Sequence, residues 1–300
     1  DKNSNTVIDT SVEPNLFKKD AHSEWSKDPD GNITTKGGAG EQISDFQKVT
    51  LLTDKSPSIT NFEQLKDLPL KGTSGLTLDH SNWRQSEMSL LRNAICKNPS
   101  TDDNNANPCK QRMLFLLGKK FVSKDTDVGP GNDQRWSVSD ILHSQPKVIT
   151  YGGEASSNTF HDKVIYGTNA GFLHMINGAT GKEEWRYLPS DFWSMQRQIF
   201  DNRQDNHLYG IDGTPLIWQC DVNNDGTITP HPQRNTTSLG EATCSDAEHD
   251  FVRVIVSTRR GGGDSGFIYA LDLSDTVQKG DDTVNPKFMW RISGGDTTGD

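Results

Sequence analysis

A mainly β fold assembled from repeated four-stranded units is predicted by three features of this 300-residue sequence. First, GlyPheLeuHisMetIleAsn from Gly171 and GlyPheIleTyrAlaLeuAsp from Gly266 are two versions of one pattern. Second, each follows a β-branched run, from Val164 and from Phe251 respectively, and each precedes a Trp-Arg pair, Trp185–Arg186 and Trp290–Arg291. Third, a further run opens each set after a proline, Pro146 and Pro215. Four short strands per set is the strand content of one β-propeller blade, and units that cannot bury their own apolar faces must stack on neighbours. The two motifs lie 95 residues apart, roughly twice the ~40–45 of a compact blade. Long loops account for the excess.

In chain order, residues 1–135 read as a mixed, loop-rich region with short helices. Residues 1–40 are polar, with turn signals at 28–31 and 37–40, and are expected to be a loop or arm. A strand is expected at 48–53. Asn82 caps an expected helix through Ile95, because Met88, Leu91 and Ile95 recur at helical spacing. A second helix is expected over 111–117, stopped by Gly118. The glycine-rich 129–133 stretch marks the boundary, and 136–300 reads as the first two blades of a propeller. Their strands are expected near 145–151, 164–169, 171–177 and 183–188, then 214–220, 251–258, 266–273 and 287–292. Apolar alternation, as in Val252, Val254 and Val256, fits half-buried strands. A helix carrying Trp193, Met195 and Ile199 is expected over 190–200, capped by Ser190 or Asp191. Two blades cannot close a ring, since propellers have about four to eight. The propeller is therefore expected to continue beyond residue 300.

Composition narrows the function. The net charge of −10 opposes non-specific nucleic-acid binding, which needs a basic footprint. No apolar run approaches the ~18 residues of a membrane span. The absence of an initiator Met and of a signal peptide is what a mature or excised segment of an exported protein would show. The four cysteines fall in two local pairs, Cys96/Cys109 and Cys220/Cys244, each bracketing a polar loop and neither with zinc spacing. Two loop-closing disulfides in an oxidising compartment are expected, the alternative being unpaired thiols.

AspValAsnAsnAspGly at 221–226 fits the first half of an EF-hand-type calcium loop. Asp221, Asn223 and Asp225 supply oxygens at positions 1, 3 and 5, Gly226 makes the sharp turn, and the Thr227 carbonyl falls at position 7. Position 12 is Pro232 rather than a bidentate Glu. A replacement carboxylate must come from Glu241, Asp246, Glu248 or Asp250, brought near by a Cys220–Cys244 bond. Two readings stand: a calcium loop, or an Asx-rich hairpin turn. Asp54–Ser58 matches an Asp-x-Ser-x-Ser metal pattern but reads better as a turn after a strand. ArgArgGlyGlyGly at 259–263 reads as a tight strand link rather than a phosphate nest. His143 and His174 read as packed, hydrogen-bonded side chains. No nucleophile elbow, phosphate loop or zinc-protease motif is present, so a non-enzymatic role is expected.

The order of segments resembles a known family. AspIleLeuHisSerGlnPro (140–146), the stretch 164–190, AspGlyThrPro (212–215), GlyGlyGly with GlyPheIleTyrAlaLeuAsp (261–272) and MetTrpArgIle (289–292) resemble the C-terminal propeller of PilC/PilY type IV pilus tip adhesins. The resemblance covers 136–300. It implies export from a Gram-negative cell and a place at the pilus tip with minor pilins. It also implies adhesion to a host or abiotic surface, and calcium-tuned pilus extension and retraction, hence twitching motility. The family's calcium loop usually ends in a further acidic residue, where this chain has Thr229, and the von Willebrand-like half of many members is not evident. One alternative is a quinone-cofactor dehydrogenase propeller, which shares the quinoprotein-like blade signature. That reading lacks a vicinal Cys pair and a cofactor-facing acid and Arg set. A periplasmic assembly scaffold is the other.

Overall fold

In the computed structural model, residues 16–31, 137–154, 159–201, 207–229, 249–263, 266–274 and 286–294 are described continuously. Shorter stretches are described at 8–9, 33, 37–42, 49–54, 62–65, 70–71, 77–78, 94–95, 112, 115–118, 156 and 244. The N-terminal region contributes the hairpin β1 (Ile8–Asp9) and β2 (Leu16–Phe17), helix α1 (Gly38–Gln42), β3 (Leu51–Asp54), β4 (Phe62–Leu65), β5 (Leu70–Lys71) and β6 (Thr77–Leu78). Then come β7 (Lys147–Glu154), β8 (Thr159–Gly167), β9 (Leu173–Asn177), β10 (Glu183–Tyr187) and helix α2 (Trp193–Phe200). The second set is β11 (Leu216–Cys220), β12 (Phe251–Ser257), β13 (Phe267–Asp272) and β14 (Lys287–Ser293). The chain is mainly β, as expected.

All eight strands of the two repeats form where the pattern places them, and each repeat is an antiparallel meander: β7-β8-β9-β10 and β11-β12-β13-β14. The same turn chemistry closes both. Thr168 N–H donates to the Phe172 carbonyl (2.8 Å), and Thr258 N–H donates to the Phe267 carbonyl (2.9 Å). At the end of the third strands, the Asn177 side chain accepts from Ala179 N–H (3.1 Å) and Asp272 from Ser274 N–H (2.8 Å). Strand β9 starts at Leu173 rather than 171 because Gly171 bends the chain with φ of +86°, a conformation open mainly to glycine. The 259–263 stretch is indeed the link between β12 and β13, with Arg259, Gly262 and Gly263 at positive φ.

Successive residues of a strand face opposite sides, and directly opposed residues share a side. Ile165, Met175 and Trp185 are opposed in turn, and so are Leu173 and Tyr187. These five are at most 1% exposed. They press on the second sheet's near face, where Val254 opposes Leu271 and Val256 opposes Tyr269. One continuous core spans both sheets. The Tyr187 and Tyr269 rings meet edge to face at 6.2 Å, and Tyr151 Oη donates to the Leu273 carbonyl (2.8 Å). Burial of each large apolar side chain contributes about 1.5–3 kcal/mol, so the side chains of this joint contribute substantially to stability.

The structure departs from the sequence reading in three places. The 37–40 stretch opens helix α1, and β1 and β2 pair within the expected arm. Strand β3, near the expected 48–53, is not confined to a separate N-terminal region. It pairs in parallel with β10, Arg186 opposite Leu51 and Tyr187 opposite Leu52, and β4 extends the sheet beyond it. The boundary near 135 is therefore crossed by a strand ladder, and also by Trp25 Nε1–H donating to the Gly178 carbonyl (2.8 Å). Finally, neither Ser190 nor Asp191 caps a helix: Pro189 precedes a 3-10 turn at 190–192 that leads into α2, with no side-chain cap bond. Tertiary partners take both side chains. Ser190 N–H and Oγ–H donate to Asp54 (2.7 and 2.6 Å). Asp191 accepts from Tyr269 Oη (2.7 Å) and lies 2.9 Å from Arg291 Nε. Most of the expected 82–95 helix lies outside the described residues.

Candidate functional site

The Asx loop leaves β11 at Cys220 and runs back across the joint between the sheets. Its shape comes from its own side chains. Asp221 Oδ2 accepts from Gly226 N–H (2.7 Å), Asn223 Oδ1 from Asp225 N–H (3.1 Å), and Asp225 Oδ1 from Thr227 N–H (2.8 Å). Asn223 Nδ2–H donates to Asp225 Oδ2 (2.9 Å). Gly226 turns at φ +79° with open space where a Cβ would stand, and Asn224 is also left-handed at φ 54°. Asn tolerates that region because its short side chain bonds locally.

Beyond the turn, Ile228 is 4% exposed in the shared core. Its N–H donates to the Tyr151 carbonyl on β7 (3.0 Å). The loop therefore straps the second sheet to the first. Asp250, one of the four replacement carboxylates named from the sequence, clamps both ends of the strap: it accepts from Val222 N–H (2.8 Å) and Thr229 N–H (2.9 Å). Glu241, Asp246 and Glu248 lie outside the described residues.

Three side chains of the sequence-derived set, Asp221, Asn223 and Asp225, thus gather in one turn, with Thr227 tied to Asp225. Each carboxylate spends an oxygen on shaping the backbone. Asp221 Oδ1 is different: it is buried and makes no hydrogen bond. A buried carboxylate oxygen without a partner is costly. A hard-oxygen donor set with one such atom has the character calcium requires. Among the described residues, no three His, Cys, Asp or Glu side chains converge as a metal-holding group. Any site here would rely on Asn and backbone oxygen as well.

Cys220 and Cys244 are joined by a disulfide, with Cα atoms 5.4 Å apart and a sequence separation of 24. Cys220, the last residue of β11 before the strap, packs with Phe251 and Trp218, a small cluster on the second sheet's far face. By the chain-entropy account, a loop of this length contributes about 3 kcal/mol. Cys220→Ser with Cys244→Ser is expected to lower the unfolding free energy by that order, read from urea melts with and without reductant. Cys96 and Cys109 lie outside the described residues.

A second polar constellation, which the sequence reading treated only as a packed histidine, sits on the first sheet. His174, opposite Arg186 and Tyr166 in register, is fully buried and shares a hydrogen bond between Nδ1 and Glu183 Oε1 (2.6 Å). Arg186 donates from Nε (2.9 Å) and Nη2 (2.7 Å) to Glu183 Oε2, and from Nη2 to Ser137 Oγ (3.1 Å). Burial alone would raise the Glu183 carboxyl, but the Arg186 charge and the bonds from His174 and Arg186 hold it down at about 2. Burial holds His174 below its usual range, against the pull of Glu183. Nothing in the sequence spacing distinguishes this network from ordinary strand residues. His143, likewise read as packed, pairs with the buried Asp212 (2.8 Å).

Among the described residues, no helix is long and apolar enough to cross a membrane. No protein-family profile and no solved structure matches the chain. Among curated proteins, it is similar to the type IV pilus biogenesis factor PilY1 of Pseudomonas aeruginosa (strain UCBPP-PA14). The two are 26% identical over 189 residues, a match covering 56% of this chain and 15% of that protein.

Proposed function

We propose that this chain is a non-catalytic part of a type IV pilus-associated surface protein, in which the two sheets are successive blades of a β-propeller and the strap at 221–229 holds calcium. The similarity to PilY1 carries this reading. The ordered motifs from 140 to 292 and the face-to-face packing of two four-stranded meanders support it. An extracellular place at the pilus tip, with minor pilins and a host or abiotic surface as partners, follows from the same reading, as does a part in calcium-tuned extension and retraction. Surface fractions sheared from cells with and without pili test it. The protein is expected in the sheared fraction only when pili are present; equal recovery from a pilus-deleted strain overturns the assignment.

Asp221, Asn223, Asp225 and the Thr227 carbonyl would hold the ion, and Asp250 would position the strap without being one of the four. Calcium would supply charge neutralisation for the carboxylates and so stiffen the strap. An ion that binds only the folded state raises stability by mass action, about 2.7 kcal/mol at a hundredfold excess over Kd. Millimolar calcium is therefore expected to raise Tm, and Asp225→Ala to abolish the rise; the calcium-free melt is expected to fall as well, because Asp225 also accepts from Thr227 N–H and Asn223 Nδ2–H. With Pro232 at position 12, binding is expected to be weaker than in a full EF-hand loop. Titration calorimetry that gives no calcium heat would leave the loop as a turn.

A further inference from the structure

The turn between the second and third strands differs between the two units. Thr168 and Thr258 close the same backbone bond in each, but the second link is five residues longer. Where the first unit carries Asn169 and Ala170, both buried, the second carries Arg259 and Arg260, both exposed. Arg259 sits at φ 49°, a region that a residue with a Cβ enters at a cost, although three glycines stand in the same link. Strain kept where glycine would relieve it points to a use for the side chain.

The link is held firmly. Gly261 N–H donates to the Thr258 carbonyl and Thr258 Oγ–H to the Gly261 carbonyl, both at 2.7 Å. Gly261 lies so close to the Gly210 carbonyl that a Cβ would stand 1.9 Å away, which seats the link on the 207–213 segment. Arg260 thereby reaches Tyr209: its Nη1–H donates to Tyr209 Oη (3.1 Å), with the guanidinium 5.3 Å from the ring centre. Tyr209 keeps its own O–H to donate. His207 packs edge-on against Tyr209 at 4.7 Å and lies 3.3 Å from Asp140 Oδ2. Among the described residues neither arginine pairs with a carboxylate, in a chain of 41 acidic and 31 basic side chains. Beyond Asp140 come Ile141 and Leu142, 40% and 56% exposed. Their loop is fixed by Asn169 N–H donating to the Asp140 carbonyl (3.1 Å), Gly167 N–H to Ser144 Oγ (2.8 Å) and Gln145 N–H to Thr214 Oγ1 (3.1 Å). Two apolar side chains on a fixed loop, close to two guanidinium groups without carboxylates, are preorganised for contact.

We infer that Arg259, Arg260 and Tyr209, together with Ile141 and Leu142, form a docking surface for an acidic segment of another protein, one in which carboxylates adjoin apolar side chains. Guanidinium groups bind carboxylates through charge-assisted, paired bonds, and the exposed aliphatic pair supplies the apolar anchor. Gly261 N–H is already spent on Thr258, so recognition falls to side chains rather than to a backbone nest for phosphate. Arg260 and His207 flank the Tyr209 ring, so it is not an open platform on which a sugar could stack. Nucleic acid is opposed by the net charge of −10. The surface is built by these loops alone and is the same whether or not the chain serves a pilus.

The natural, exported protein is titrated into a fluorescent peptide that carries two glutamates followed by two leucines, with anisotropy as the readout. Saturable binding is expected, weakened about tenfold when glutamines replace the glutamates, and weakened again by about 0.5 M salt. Arg259→Glu is expected to weaken it by about tenfold or more, and Leu142→Ser by a smaller factor. Both side chains are exposed, so the thermal melts of these variants should match the parent. Arg259→Gly separates fold from use: it is expected to raise Tm while weakening binding. A Tm lowered by Arg259→Gly would show that the arginine serves the fold and would overturn the inference. No saturation up to about 1 mM protein, or equal binding by Arg259→Glu, overturns it too. Tighter binding of a uronate oligosaccharide than of the peptide overturns the choice of partner, as does self-association of the parent that Arg259→Glu abolishes.

Discussion

Glu183→Ala is expected to destabilise the chain by about 3–5 kcal/mol, because it strips a buried guanidinium and a buried imidazole of their shared acceptor. Arg186 is wholly buried and donates two bonds to Glu183. Its stacking over Phe172 at 5.5 Å cannot replace a carboxylate, since a ring face offers a weaker attraction. The double variant Glu183→Ala with Arg186→Leu is expected to recover part of the loss, because removing both charges leaves less that is buried and unpaired. Urea unfolding at neutral pH measures both. A single variant within 1 kcal/mol of the parent would show that the network contributes little.

The same network predicts acid sensitivity. Glu183 sits at about 2 in the folded chain against an ordinary value of 4.5. A depressed carboxylate stabilises the fold above its unfolded value, and that contribution is lost as pH falls from 4.5 towards 2. His174 acts in the same direction and earlier. Its folded value lies below 6.5, so the unfolded chain takes up a proton first as pH falls through 6.5, and stability declines from there. A urea midpoint that falls from pH 7 to pH 3 is the expected result, with the slope reduced in the double variant.

Trp185→Ala and Trp290→Ala should differ sharply although the two tryptophans hold equivalent places in the repeat. Trp185 is 1% exposed in the joint, and emptying such a site costs about 3–5 kcal/mol. Trp290 is half-buried on the far face. In residues 1–300 studied alone its replacement is expected to cost less than about 1.5 kcal/mol, because water can fill the space. Equal losses would mean that the far face is already packed.

The repeat was legible because strand chemistry is local. β-branched runs, the Thr168 and Thr258 turns and the Gly171 bend are set by residues within a few positions of one another, so eight strands could be placed from pattern alone. The Asx turn was legible for the same reason: Asp221, Asn223, Asp225 and Gly226 close it among themselves. The pairing of Cys220 with Cys244, close in sequence and flanking one loop, belongs to this class. What the sequence could not decide was long-range competition for partners. Ser190 looked like a helix cap until Asp54, 136 residues away, took its side chain and backbone donor. Strand β3 looked independent until the free outer edge of β10 accepted it in parallel, a pairing with no sequence signature because ladder bonds are made by backbone. Asp250 was one of four equal carboxylates until folding set it against Val222 and Thr229. Likewise, the repeat made Trp185 and Trp290 identical, and only the stacking of one sheet on the other made one a core residue and left its twin half in water.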